Sequence, residues 1–156
     1  MQLLVLAVGQ RMPAWVQQAW DEYARRWPRG MSLELREVPA ARRSRKAAAD
    51  AFRSSEGRAL LAAAPAGFRL VALDERGKQW STRELASRLE NWMREESGVC
   101  FLVGGPDGLS QECRARADEL WSLSRLTLPH AMVRAVLAEQ LYRAWTVTRN
   151  HPYHRD

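Results

Sequence analysis

What most constrains this chain is the regular alternation of two hydrophobic periods along it. The run "LLVLAVG" is continuously apolar, as a strand covered on both faces must be. "PAWVQQAWDEYARRW" then sets Trp15, Val16, Ala19, Trp20, Tyr23 and Trp27 at spacings of three and four, the stripe of an amphipathic helix. Pro13 suits its first turn, and Pro28 and Gly30 stop it. "MSLELREV" alternates as a half-buried strand does, and an Ala-rich helix is predicted over residues 44–64. "FRLVALD" reads as a third strand ending at Asp74. "STRELASRLENWMREE" opens with a capping box, Ser81 with Glu84, and carries Leu85, Leu89, Trp92 and Met93 as its buried stripe. Val99 to Val103 form a fourth strand, Ser110 opens a short helix, and "LWSLSRLTL" is a fifth strand. "AMVRAVLAEQLYRAWTVT" is a last helix, followed by the tail "RNHPYHRD". Such alternation predicts an α/β fold: a mostly parallel sheet with helices on both faces. At 156 residues the chain is read as a single domain, 1–156.

Composition narrows the function classes. No apolar run approaches the length of a membrane helix, and the first residues read as a strand rather than a signal peptide. The two cysteines, Cys100 in a strand and Cys113 in a helix, form no CxxC pair, so reduced buried thiols in a cytoplasmic protein are expected. The three histidines lack metal-ligand spacing, and no metal is expected. A net charge of +6 points to a polyanion such as nucleic acid. The densest basic cluster is Arg42, Arg43, Arg45 and Lys46, which serves equally as a solvated helix start or an RNA contact.

In parallel sheets, ligands collect beyond the carboxyl ends of the strands. Three strand ends here have unusual chemistry: "ALDERGKQW", "LVGGPDGLS" and "SRLTLPHAM". A glycine-rich corner alone is most simply a turn; three special strand ends together suggest a shared pocket. No P-loop, GxGxxG fingerprint or GxSxG elbow occurs. What remains is a small ligand held by main-chain groups between the apolar walls of Leu73, Leu126 and Leu128. Adenine with a methionine-like chain would suit such walls, although composition does not single it out.

"LVGGPDGLS" and "LWSLSRLTLPHAMVRAVLAEQLYRAWTVTRNHPYH" resemble the signature of the ribosomal RNA large-subunit methyltransferase H family, a minimal branch of the SPOUT superfamily. "LAVGQRMPAWV", "EYARRWP", "EVPAARR" and "LDERGKQWST" resemble further blocks of that family in the same order, so the likeness covers essentially the whole chain. The resemblance implies an S-adenosylmethionine-dependent enzyme that methylates N3 of a pseudouridine in 23S ribosomal RNA on assembled ribosomes. It also implies a homodimer and a carboxyl-terminal trefoil knot, a rarity among proteins.

Carried onto this sequence, the resemblance makes Leu73 a wall of the adenine site. It makes Gly105 a place where the ligand meets main chain with no Cβ in the way. Ser124, Arg125, Leu126, Thr127, Leu128 and Pro129 become the knot loop whose amides and carbonyls read the adenine edge, Arg125 through backbone only. In the tail, His151, Tyr153 and His154 gather donors, acceptors and a stacking face, with His154 the expected proton acceptor; transfer to water is the alternative. Arg143 is expected to help electrostatically. Tyr142 would position the uracil ring or simply pack in the core. Trp15, Trp20 and Trp92 are expected in the core and Trp145 at a dimer seam, with the second subunit completing the RNA site. A SPOUT enzyme with another RNA target and a non-catalytic RNA-binding protein are the rival readings.

Overall fold

The computed structural model describes residues 1–42 and 48–155. Arg42 is exposed; Arg43, Arg45, Lys46 and the first residues of the helix expected from 44 lie outside the described residues. Strand and helix alternate throughout: β1 (Gln2–Val8), α1 (Ala14–Ala24), β2 (Ser32–Val38), α2 (Ala49–Ala63), β3 (Arg69–Gln79), α3 (Thr82–Glu95), β4 (Gly98–Val103), α4 (Gln111–Arg116), β5 (Glu119–Ser122) and α5 (His130–Thr148). The strands make one sheet in the order β2-β1-β4-β3-β5, and every pairing is parallel.

The continuous apolar runs belong to the strands that the sheet buries on both sides. Along β1, Leu3, Val5 and Ala7 join one core and Leu4, Leu6 and Val8 the other; β4 divides in the same way, with Val99, Phe101 and Val103 opposite Cys100 and Leu102. Trp20, Leu85, Leu89, Trp92, Leu137 and Leu141 bring α1, α3 and α5 onto the first face. Leu60 and Cys113 bring α2 and α4 onto the second. Both leftward steps, β1 to β2 and β3 to β4, thus cross the first face, and both rightward steps cross the second. A single crossover handedness requires this division.

The Ser81 capping box is present: Ser81 Oγ accepts from the Glu84 amide at 3.1 Å, and the Ser81 amide donates to Glu84 at 2.6 Å. Both cysteines are buried free thiols, and burial pushes the Cys100 thiol up to about 12.

Three expectations need correction. β3 does not stop at Asp74 but continues to Gln79, with its pairing to β5 shifting register between Leu73 and Lys78. β5 ends at Ser122 rather than running through Leu128. There Ser122 Oγ donates to the Ser124 carbonyl and Ser124 Oγ accepts from the Leu126 amide, a side-chain turn that draws the chain out of the ladder. Trp15 is not core: it is 48% exposed, whereas Val16 and Trp20 on the same helix are buried. It stands in the first turn, ~100° round the helix from Val16.

Candidate functional site

At the carboxyl ends of β4 and β5, beside the register shift within β3, lies a cleft of about 730 Å³, within the range of small-molecule sites. Its walls are the three segments singled out as chemically unusual: Leu73 to Arg76 at the register shift within β3, Val103 to Leu109 at and after the end of β4, and Trp121 to His130 around the turn into α5. Leu73, Gly105, Ser124, Leu126, Thr127, Leu128 and Pro129 all line it, while Arg125 faces an adjoining recess of about 400 Å³. Among the described residues, the main-chain amides and carbonyls of Thr127 and Leu128 make no hydrogen bond to another protein group. A flat heteroaromatic ligand with alternating donors and acceptors could engage them. Leu126, at 76% exposed, offers the cleft an apolar flank that no described residue covers.

The glycines of "GGPDG" are explained from inside the protein. A Cβ on Gly104 would lie 2.6 Å from the Gly108 carbonyl carbon, because the loop doubles back here and Gly108 donates its amide to the Gly105 carbonyl at 2.9 Å. A Cβ on Gly105 would sit 3.0 Å from Val8 Cγ1 and 3.5 Å from the Glu56 carboxylate, not in the cleft. Gly108 has a φ of +80°, where only glycine rests without strain. Packing on β1 and α2 is thus one reason for a bare backbone at Gly105, which also lines the cleft.

Two charges hold the loop in place. Arg114 Nη1 donates to the Leu109 carbonyl at 2.7 Å and lies 3.5 Å from Asp74 Oδ2. Asp74 Oδ1 also accepts the Arg76 amide at 2.8 Å. The pair thus ties the middle of β3 to the end of the glycine loop. At the other side, Arg134 is 1% exposed and donates to the Val8 and Gly9 carbonyls, with Glu37 at 2.7 Å. That pairing anchors the first turns of α5 beside the cleft.

The tail residues lie elsewhere. α5 begins at the cleft with His130 and leads away for 19 residues, roughly 28 Å. The tail then folds back on the outer side of α5. There Tyr153 donates to Glu139 Oε1 at 3.0 Å and meets Tyr142 edge-on at 5.0 Å between centroids. Burial and the bonds to Tyr23 and Glu139 raise the Tyr153 phenol above its ordinary value, so it remains a donor at neutral pH. Arg143 is paired with Glu139, and that hydrogen bond strengthens its hold on its proton. No residue from Arg143 to Arg155 lines the cleft. Within one chain the expected catalytic and cofactor residues are not brought together.

The chain matches the family described as predicted SPOUT methyltransferase over residues 1–154. It belongs to that family. The ribosomal RNA large subunit methyltransferase H of Methylococcus capsulatus (strain Bath) is 54% identical over 155 residues, covering 99% of this chain and all of that protein. The protein of the same name from Paraburkholderia phymatum is 53% identical, covering 99% of each. Among solved structures, TrmJ from Z. mobilis ZM4 aligns at a TM-score of 0.56 with 16% identity, covering 93% of this chain and 69% of that one. A probable methylase family protein from Haemophilus influenzae Rd KW20 aligns at 0.53 with 11% identity, covering 99% and 70%. These two likenesses concern the fold alone.

In this SPOUT chain, Tyr142 is buried against Tyr23, Trp27, Trp145 and Tyr153. Of its two expected roles, core packing is the one observed. Trp145 is half-buried and packs on Trp27 at 5.9 Å. No helix is long and apolar enough to cross a membrane, and no group of three or more His, Cys, Asp or Glu is placed to hold a metal among the described residues. Sequence reasoning missed Asp74 with Arg114, Arg134 with Glu37, and Glu139. For Glu139 a signal existed: it stands four residues before Arg143 on a predicted helix, the spacing of a helical ion pair.

Proposed function

We propose that this protein transfers the methyl group of S-adenosylmethionine to N3 of a pseudouridine in 23S ribosomal RNA, as a cytoplasmic homodimer acting on assembled ribosomes. The observation that carries the reading is full-length identity of 54% to a protein named as a large-subunit ribosomal RNA methyltransferase. The cleft fits the cofactor in size, in its apolar walls at Leu73, Leu126 and Leu128, and in the open main-chain groups of Thr127 and Leu128. Bound there, the cofactor supplies a methyl group already activated on sulfonium. Gly105, Ser124, Arg125 and Pro129 complete the backbone cradle, whose threading as a trefoil knot is part of the same proposal.

The protein's own contribution is alignment and removal of a proton. Holding the imide nitrogen in line with the methyl group is worth up to about 7–11 kcal/mol, and a positioned base adds about 10²–10⁴-fold. His154 is the proposed acceptor of the N3 proton, Arg143 the nearby positive charge, and Tyr153 a donor that shapes the tail. Because these residues lie apart from their own cleft, a second copy must deliver them. A partner surface is available: Met132 is 38% exposed and Trp15 48%, both in first helical turns on the side of the cleft, and Val133, Ala135 and Val136 are only half-buried.

The decisive experiment is mass mapping of ribosomal RNA from a strain lacking the gene, before and after addition of protein and cofactor. A methyl group at a pseudouridine N3 supports the reading; one on another nucleotide or on a 2′-hydroxyl assigns a different SPOUT target. Calorimetry with S-adenosylmethionine tests the cleft separately, and no binding would leave only an RNA-binding protein. A normal single-turnover rate in His154→Ala at every pH transfers the base role to water.

A further inference from the structure

Near the middle of α5 one carboxylate gathers the chain's last residues. Glu139 Oε1 accepts from the Tyr153 hydroxyl at 3.0 Å, from Arg143 Nε at 2.8 Å and from Arg143 Nη2 at 2.6 Å. Its other oxygen accepts from Gln140 Nε2 at 2.8 Å, and Gln140 in turn accepts from Thr82 at the start of α3 at 2.9 Å. The Tyr153 hydroxyl also lies 3.4 Å from the Tyr23 hydroxyl on α1. The Tyr153 ring is then closed in by the guanidinium groups of Arg143 at 4.9 Å and Arg26 at 5.8 Å. Contacts from α1 and α5 thus meet at one tyrosine, and α3 joins the network through Gln140.

The fold does not require this. Sheet and helices are complete at Thr148, and the last residues of a domain ordinarily fray. Holding each residue in one backbone conformation costs conformational entropy. A half-buried carboxylate with charge-assisted bonds is among the few local devices strong enough to offset that. The tail is held in one conformation by its contacts with α1 and α5.

We propose that Glu139 is a positioning residue that fixes residues 151–155 through Tyr153, so that the tail meets a second copy's cleft already in its working shape. The inference rests on the reading of the tail given above, and it adds the group that shapes it. Glu139 touches neither cofactor site nor RNA in this scheme; it acts only through the phenol and the guanidinium it holds.

The test uses the full-length protein with Glu139→Ala, Glu139→Gln, Tyr153→Phe and the double variant Glu139→Ala/Tyr153→Phe. Amide hydrogen exchange at residues 151–155 should accelerate about tenfold or more in Glu139→Ala and in Tyr153→Phe, with strand amides unchanged. Glu139→Gln, which keeps an acceptor for the phenol but loses the charge, should fall between. Single-turnover methylation of ribosomes at saturating cofactor should slow by about ten- to a hundredfold in Glu139→Ala, with S-adenosylmethionine affinity within about twofold of the unaltered protein. If Glu139 acts through Tyr153, the double variant is no slower than the slower single variant. Unchanged tail exchange in Glu139→Ala, or rate losses that multiply in the double variant, would overturn the proposal. Should Glu139→Ala not fold, Tyr153→Phe removes the same bond with one oxygen and decides the exchange arm. Failure of the unaltered protein to bind cofactor or methylate ribosomes would instead refute the proposed function, while tail exchange still reports whether Glu139 holds residues 151–155.

Discussion

Replacing Gly104 by Ala places a methyl group in a space the protein already fills. The new Cβ would lie 2.6 Å from the Gly108 carbonyl carbon and 2.8 Å from its oxygen. Ordinary carbon contact begins near 3.4 Å, so one side must move by about 0.8 Å. Neither side is a flexible side chain: one is the end of β4, locked between β1 and β3, and the other is loop backbone. The loop yields, stretching the 2.9 Å bond from the Gly108 amide to the Gly105 carbonyl and moving the cleft wall. Overpacking of this kind costs about 1–3 kcal/mol. At about 2–4 °C per kcal/mol for a chain this long, the melting temperature should fall by roughly 2–12 °C. Because the displaced backbone is part of the cleft, S-adenosylmethionine affinity should fall by about tenfold, which corresponds to 1.4 kcal/mol. Gly108→Ala is the control: its Cβ meets nothing within 4 Å, and only the strain of φ +80° is incurred. Its melting temperature should drop with a smaller change in affinity. Calorimetric melting and isothermal titration on both variants provide the comparison. Wild-type melting and wild-type affinity in Gly104→Ala would refute the claim that the corner's geometry, rather than a ligand, imposes glycine at this position.

Other outcomes follow from the same contacts. Arg134→Met should cost about 3–5 kcal/mol in urea denaturation, since it leaves Glu37 and two β1-end carbonyls without their buried donor. The Cys100 thiol keeps its proton in the folded state to about 12, whereas an unfolded thiol loses it near 9. The folded state therefore binds more protons between those values, and stability should decline as pH rises through that window, with a shallower decline in Cys100→Ala. Met132→Asp, on the exposed first turn of α5, should shift sedimentation toward monomer at micromolar concentration and lower specific activity with it; an unchanged dimer would place the seam elsewhere.

Legibility in the sequence tracked the range of the interaction. The capping box of Ser81 and Glu84 and the capped start of α4 at Ser110 are contacts within a few residues, and the twin-faced burial of β1 and β4 shows as unbroken apolar runs, so the residue pattern states them directly. The segments that wall the cleft were legible too, because strand ends with glycine, proline and turn-forming serine are locally unusual.

What the residues alone determined, then, is the succession of strands and helices, the two-sided burial of the central strands, and the identity of the loops at the carboxyl edge. Only the tertiary structure decided the order β2-β1-β4-β3-β5, which of Trp15 and Trp20 is covered, and the close backbone packing at Gly104. It also set Tyr153 on Glu139, away from the cleft of its own chain. The physical cause is the same in each case. Hydrophobic period and capping chemistry report which face of an element turns inward, but a contact between distant segments depends on what arrives from elsewhere in the chain.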